Sequence, residues 1–458
     1  MCKMQWKTLV LAVAFIISPV TMAAVPAEQA AALKTTLTPF GAERAANKEG
    51  TIPIWDGGTK IAPFTDGKIP DPFATEKPLF SINPQNVDKY GDKLSDGVKA
   101  LMTKYPSTFR VDVYPTHRTA SAPQWVYDNT FQNATRAHMN PSGSLGAFPV
   151  DAYGGIPFPI AKTGEEAIWN HQLRWAGQAV KNRGQAVRMT PDGKMVVVQQ
   201  TESQLSYPYY RPDWDLQKWQ AEGSFFVTRR VNTVGPPIRA GEATVARSNI
   251  DDSKSMTYTY LTGQRRVRRL PLSCCDIPNP ISGGIANFDE LSVWFGSIGR
   301  YDWKLVGKRE MYIPYNNNKY HQPANLQDVL GANHPNPDLV RYELHRVWVV
   351  DATLKPGERH SAPKARFYLD EDTWMAVLGD RWDAQGNLWK ATFNMPTVMS
   401  SAPAVVEGVY LVFDLAKGGY YAGTLNLANV QGKAMEYLDT PFPDRSFTAE
   451  ALSGEGVR

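Results

Sequence analysis

From about residue 180 the chain alternates apolar and polar side chains with a period of two, and it does so again and again. A period of two belongs to a strand with one apolar and one polar face, whereas a helix repeats near 3.6. The segments are AVRM and KMVVVQQ, then SFFVTRRVN, EATVARSNI, MTYTYLTG and QRRVRRLP. Later come DWKLVGKREMYIP, RYELHRVWVVDATLK, ARFYLDEDTWMAVLGDRW, NLWKATFNM and GVYLVFDL. Tight turn signals join several of them: Asp192-Gly193, Thr262-Gly263, Glu371-Asp372 and Ala384-Gln385-Gly386. Connections this short pair strands antiparallel. No regular strand-then-helix alternation appears, which argues against a doubly wound parallel sheet. The pattern predicts a mainly β, α+β fold with roughly ten or eleven strands, and an antiparallel sheet of that width curls.

The sheet is expected over residues 181–440, preceded by an arm and helical segments over 24–180 and followed by a tail over 441–458, with 24–440 read as one structural unit. Residues 1–23 combine a basic start (Lys3, Lys7), the apolar run TLVLAVAFIISPV and a small-residue exit, the three parts of a secretory signal with a cut after Ala23. The apolar run is shorter than the roughly 20 residues of a membrane span. Cys2 precedes that run, so it is not placed as a lipoprotein cysteine. The protein is therefore expected in the periplasm, without a membrane tether. Loss of Lys3 and Lys7 lowers the formal charge from +4 to +2, too little to imply nucleic acid. The cluster Arg265, Arg266, Arg268 and Arg269 reads equally as a solvated strand face or a binding site.

Three helices are legible. AAVPAEQAAALKTTL is a short one. A second is expected over 83–105, capped by Asn83 and opened by Pro84, with Tyr90, Leu94, Val98, Leu101, Met102 and Tyr105 as its apolar stripe. A third starts at Thr163, which has capping-box spacing to Glu166. The Gly/Pro-rich stretch 38–80 buries Phe40, Ile54, Trp55, Phe73 and Phe80 in an ordered, extended arm.

The motifs of zinc peptidases, P-loop enzymes, common serine hydrolases, thioredoxin-like proteins and dinucleotide enzymes are missing. None of the seven histidines stands three or four residues from another, so no metal site is expected and no cofactor is implied. WNHQLRW sets His171 and Arg174 one helical turn apart, either as polar groups in a cleft or as part of a packed helix. Arg300 and Asp302 read as a headgroup clamp or as a structural ion pair. The acids of DEDTW, residues 370–374, fit a hairpin turn better than a calcium site. Cys274 and Cys275 are neighbours and allow a vicinal disulfide, with two inert thiols as the alternative.

The feature with most bearing on function is distributed along the strands. Phe225 and Val227 share a face, as do Tyr258 and Tyr260, Phe367 and Leu369, and Leu411 and Phe413. These eight are the expected ligand-binding residues, lining one concave face, while Thr228 is expected to face water. If helices cover that face wholly it is a core; if they leave part of it open it is a cleft.

LTPFGAERAANKEGTIPIW, PDPFATEKPLF, SAPQWVYDNT, GGIPFPI with EAIWNHQLRW, GQRRVRRLP and RYDWKLVGKREMYIPYN, in this order, resemble the bacterial DUF1329 family over about residues 30–440. That family is similar to the outer-membrane lipoprotein-sorting proteins LolA and LolB. The resemblance implies a LolA/LolB-like half-barrel with covering helices, which carries an acyl chain or lipid for envelope sorting or export. It implies an RND-type exporter and an outer-membrane protein as partners, and it transfers no catalytic residues. An enzyme acting on a hydrophobic substrate and a structural part of an export complex are the other two readings. SCCD at 273–276 is unusual for the family.

Overall fold

The computed structural model describes residues 24–63, 69–270, 275–426 and 435–455. The expected signal segment and Cys274 lie outside the described residues. Eighteen strands follow one another among the described residues: β1 (Phe80–Ile82), β2 (Val111–Val113), β3 (His138–Asn140), β4 (Phe148–Val150), β5 (Ala179–Met189), β6 (Met195–Ser206), β7 (Phe225–Gly235), β8 (Ala243–Asn249), β9 (Met256–Leu261), β10 (Arg266–Leu270), β11 (Tyr301–Pro314), β12 (Tyr342–Leu354), β13 (Lys364–Asp370), β14 (Ala376–Trp382), β15 (Leu388–Met399), β16 (Ala404–Asp414), β17 (Tyr420–Leu425) and β18 (Met435–Leu438). The helices are α1 (Ala27–Ala30), α2 (Asp96–Lys104), α3 (Gln124–Arg136), α4 (Gly164–Gln172), α5 (Leu216–Ala221), α6 (Leu326–Val329) and α7 (Ala449–Glu455). None of them is long and apolar enough to cross a membrane.

Sixteen strands form one sheet in the order β1-β2-β12-β13-β14-β15-β16-β17-β5-β6-β7-β8-β9-β10, with β11 beside β12 and β18 beside β5. The fold is mainly β: a large, curved, open sheet with helices packed against it. Pairing is antiparallel except where β2 meets β12. The strands beyond the expected number are short, such as β1, β2 and β18, or follow the Gly418-Gly419 turn, as β17 does. A three-residue strand is too brief to show a period.

Two meanders meet where β17 pairs with β5. The first, β12 to β17, is buried on both faces. Tyr368, Leu378, Phe393 and Leu411 pack into a core shared with α2 and the 315–340 segment. Phe367, Leu369, Ala376 and Val406 pack into a second core with α3, α4 and the loop around Trp294. Neighbours such as Phe367 and Tyr368 thus enter opposite cores, as the pleat requires. The second meander, β5 to β10, leaves this double cover and runs outward as a wing.

The expected helix at 83–105 is corrected to α2. Asn83 accepts the Gln85 N–H at 3.0 Å, a local turn that competes with a helix start. Helix then begins at Ser95, whose Oγ accepts the Val98 N–H at 3.2 Å. Residues 87–89 and 91–93 are single 3-10 turns. Thr163 caps α4 as its spacing indicated, accepting the Glu166 N–H at 3.2 Å. Helix α3 was not legible, because its buried face includes Thr130 and Asn133 beside Val126 and Ala134. Their polar side chains hold backbone instead: Asn133 Nδ2 donates to the carbonyls of Tyr153, Gly155 and Ile156.

Candidate functional site

Strand register places two rows of side chains across the same face of the wing. One row runs Val180, Leu205, Arg229, Ala246, Thr257 and Leu270; the other runs Asn182, Ser203, Val231, Thr244, Thr259 and Arg268. At their inner ends Val180 and Leu205 belong to the core that holds Phe367. Moving outward, Arg229, Val231, Thr244, Ala246 and Thr257 are half-buried and Arg268 is exposed. The opposite face of the wing is covered, since Phe442, Phe447 and Leu452 pack on Val245, Tyr258 and Tyr260. The wing therefore has one closed face and one partly open face. The open face mixes apolar side chains (Leu205, Val231, Ala246, Leu270) and threonines with Asn182, Ser203, Arg229 and Arg268, and its inner end continues the apolar core of the molecule.

A polar group stands at the inner end of this open face. Arg174, just beyond α4, lies 3.7 Å from the Glu407 carboxylate. Arg229, Arg174 and Glu407 are the charged groups that act on the Tyr207 hydroxyl, and Arg174 and Glu407 also act on Tyr437. The phenols of Tyr207 and Tyr437 are pushed up by burial. Arg174 Nε, Glu407 Oε2 and Asn182 Oδ1 are buried without a hydrogen-bond partner. Leaving an atom such as Arg174 Nε or Asn182 Oδ1 unmatched costs about 1–3 kcal/mol, so each of these two is a place where a polar partner gains binding free energy.

His171 adjoins that group through its carbonyl, which accepts from Arg174 Nη1 at 2.7 Å, but its ring faces elsewhere. It is fully buried, accepts the Ala376 N–H on Nδ1 at 2.9 Å and donates from Nε2 to the Trp294 carbonyl at 3.0 Å. Burial, and then Arg174, holds its imidazole well below the ordinary value. It is a neutral link between α4, β14 and the Trp294 loop. Arg300 and Asp302 do not pair: Arg300 lies 3.3 Å from Asp276 and donates to the Arg359 carbonyl, while the Asp302 side chain is exposed. Alternation along β11 sends residues 300 and 302 outward, and a nearer acid takes the arginine. Cys275 is disulfide-bonded.

The eight expected ligand-binding residues are not brought to one face. Val227, Phe367 and Leu369 enter the core around α4. Leu411 and Phe413 enter the core around α2, on the other side of the sheet. Tyr258 and Tyr260 sit on the covered face of the wing. Phe225 lies under the Arg247 guanidinium, 4.2 Å from its ring centre. Thr228 does not face water; it is 1% exposed. Alternation identifies two faces per strand, but here both faces of the inner strands are buried, so an apolar face is no sign of a cleft. A cavity beside Phe413 measures about 10 Å³ and one near Val25 and Phe158 about 20 Å³. Both are water-sized, far below the roughly 300 Å³ of small ligand pockets.

A buried ion network, missed by sequence reading, ties the N-terminal arm to the sheet. Strand β12 supplies Glu343 and His345, the end of β13 supplies Asp370 and the following turn supplies Asp372. Arg118 binds both oxygens of Asp372, at 2.6 and 2.9 Å, and donates to the Glu43 carbonyl of the arm at 2.8 Å. Arg341 pairs with Glu343, and His345 lies 3.3 Å from both Glu343 and Asp370. Burial pulls the His345 imidazole down, but these two carboxylates outweigh it and raise its pKa to about 9. His345, Asp370 and Asp372 bring ligand atoms within 4.8 Å of one another, the spacing of a metal grouping. Arg118, Arg341 and His345 already engage Asp372, Glu343 and Asp370, so the donor set is that of a closed staple. The acids of DEDTW were visible in the sequence; their partners 25 and more positions away were not.

Comparison with known proteins adds the following. Solved structures with similarity include a DUF1329 protein from Desulfovibrio piger (TM-score 0.40, 12% identity, 62% of this chain and 95% of that one). Another is a putative outer-membrane lipoprotein-sorting protein domain from Vibrio parahaemolyticus (TM-score 0.43, 11% identity, 63% of this chain and 98% of that one). The uncharacterized protein PA3922 of Pseudomonas aeruginosa is 38% identical over 443 residues, covering 95% of each chain. The family model described as "Protein of unknown function (DUF1329)" matches residues 81–453. This chain is a member of the DUF1329 family.

Proposed function

We propose that the protein is a periplasmic carrier or chaperone for a lipid-like ligand, held on the open face of the β5–β10 wing. The observation that carries this reading is the asymmetry of the wing: its second face is covered by the C-terminal segment, whereas its first runs from a packed core to a half-buried row of Val231, Thr244 and Ala246. An apolar ligand laid there extends the core. Burial is worth about 2.5 kcal/mol per 100 Å² of apolar surface, before the costs of ordering. Arg174 Nε and Asn182 Oδ1 supply unmatched polar atoms at the inner end, beside the Arg174–Glu407 ion pair, suited to an ester or amide headgroup. Handover to an exporter and an outer-membrane protein belongs to the same proposal.

The test is binding of a fluorescent fatty acid by purified protein. Val231→Asp puts a charge on the open face and should weaken binding at least about tenfold, the effect of roughly 1.4 kcal/mol. Val306→Asp adds the same charge on β11, where the valine is 41% exposed, and should leave binding unchanged. No binding by the unaltered protein, or equal loss in both folded variants, would discard the proposal.

A further inference from the structure

The outer end of the wing carries charge and apolar surface in a combination that the carrier proposal does not use. Residues 225–270 contain nine basic and three acidic side chains, a local charge of +6, while the whole chain carries +4. The remainder is therefore net negative, at −2. Strand β10 is the last in the sheet order, so one of its backbone edges is unpaired in the sheet. Arg265, Arg266, Arg268 and Arg269 are all exposed, and no ion pair or side-chain hydrogen bond engages them among the described residues. Of the three acids, Glu242 is bound by Arg239 at 2.6 Å, and Asp251 and Asp252 lie in the β8–β9 turn, at the other end of these strands.

The turn from β7 to β8 abuts the turn from β9 to β10: a Cβ on Gly241 would stand 3.0 Å from Thr262 Cγ2. The first of these turns presents Ile238, 88% exposed, and Val234, 53% exposed, with Pro236 and Pro237 between them. An isoleucine this exposed beside four unpaired arginines is an amphipathic tip. A charged edge strand also keeps other strands from pairing with it. Glutamate would serve that purpose equally, so reversing the charge separates the two roles.

We propose that this tip docks on an anionic phospholipid surface, with Ile238 and Val234 entering the interface, Arg265, Arg266 and Arg268 facing the headgroups and Arg269 adding charge from the other side of the edge strand. Each basic residue near such a surface contributes about a fivefold gain in binding, and the attraction is confined to roughly 10 Å at 0.1 M salt. This docking stands apart from the carrier reading: it concerns where the protein sits, not what it holds.

The experiment is cosedimentation with phosphatidylcholine vesicles that contain or lack phosphatidylglycerol. The unaltered protein should bind only the phosphatidylglycerol vesicles and leave them at high salt. Arg266→Glu with Arg268→Glu should reduce binding at least about tenfold, and Ile238→Asp should weaken it severalfold. Arg266→Lys with Arg268→Lys should bind as the unaltered protein does, because a lipid surface reads charge and not the guanidinium fork. Lys48→Glu with Lys77→Glu, the same reversal at two exposed sites elsewhere, should change nothing. Absence of binding, equal binding to vesicles without phosphatidylglycerol, or binding only to a soluble poly-glutamate peptide would overturn the proposal. So would a charge reversal on β10 with no more effect than the one at Lys48 and Lys77. Circular dichroism of each variant separates a lost surface from a lost fold.

Discussion

His345 makes the sharpest residue-scale prediction. Its imidazole is fully buried between Asp370 and Glu343, and its pKa rises to about 9 although burial opposes this. A group with a raised folded-state pKa contributes stability that is complete below the ordinary value, near 6.5, and is lost as pH rises through 9. Stability should therefore fall between about pH 6.5 and 9, by up to about 1.4 kcal/mol per pH unit from this group. His345→Gln should be less stable at pH 6 and should lack this part of the slope. Denaturant unfolding of both proteins across pH 6–9 checks it; an unchanged slope in the variant would remove the imidazolium from the network. A second ion pair is buried under the 290–294 loop. Lys390 Nζ lies 2.9 Å from Glu290, both at most 1% exposed. Lys390→Met should cost up to about 3–5 kcal/mol, because it leaves the buried carboxylate with only the more distant Arg381, at 3.8 Å, as its cation.

At the scale of elements, α4 is held at both ends. Thr163 caps its start, and His171 in its last turn ties it to β14 and to the Trp294 carbonyl. Arg174 follows directly, so the helix places the polar end of the wing's open face. Thr163→Ala should destabilise by about 0.5–2 kcal/mol, with Thr163→Ser close to neutral. Chemical denaturation reads the difference. A loss in the serine variant as large as in the alanine one would mean that the threonine methyl, not its hydroxyl, matters. The same logic accounts for α2: Ser95 caps it, and Gly97 packs so closely that a Cβ there would meet the Ala391 Cβ at 2.6 Å.

Over the whole molecule, the sheet divides into a doubly covered meander and a singly covered wing. The C-terminal segment provides the wing's one cover, with Phe447 and Leu452 each 1% exposed against Val245 and Tyr260. Phe447→Ala should cost about 3–5 kcal/mol and Leu452→Ala about 2–5 kcal/mol. Deleting residues 441–458 should uncover Tyr258 and Tyr260 and raise binding of a hydrophobic dye. If dye binding stays level, the segment is not the cover that its packing describes.

The sequence by itself determined that this is an antiparallel β protein. Period-two segments and two-residue turns depend only on neighbours along the chain, and they located nearly every long strand and the cap at Thr163. It also determined which residues share a face, since alternation is a property of the backbone. Only the tertiary structure decided which faces are closed. Phe367 and Phe413 carry the same local pattern, yet they enter opposite cores. The open rows of Val231 and Thr244 look less apolar in sequence than either. Cover comes from segments far along the chain, as α4 covers Phe367 and the C-terminal segment covers Tyr260. The partners of Arg300 and His345 were settled in the same way, because an ion pair goes to the acid nearest in space: Asp276 instead of Asp302, and Asp370 on the neighbouring strand in addition to the local Glu343. Burial and charge pairing are sums over long-range contacts, and no local period records them.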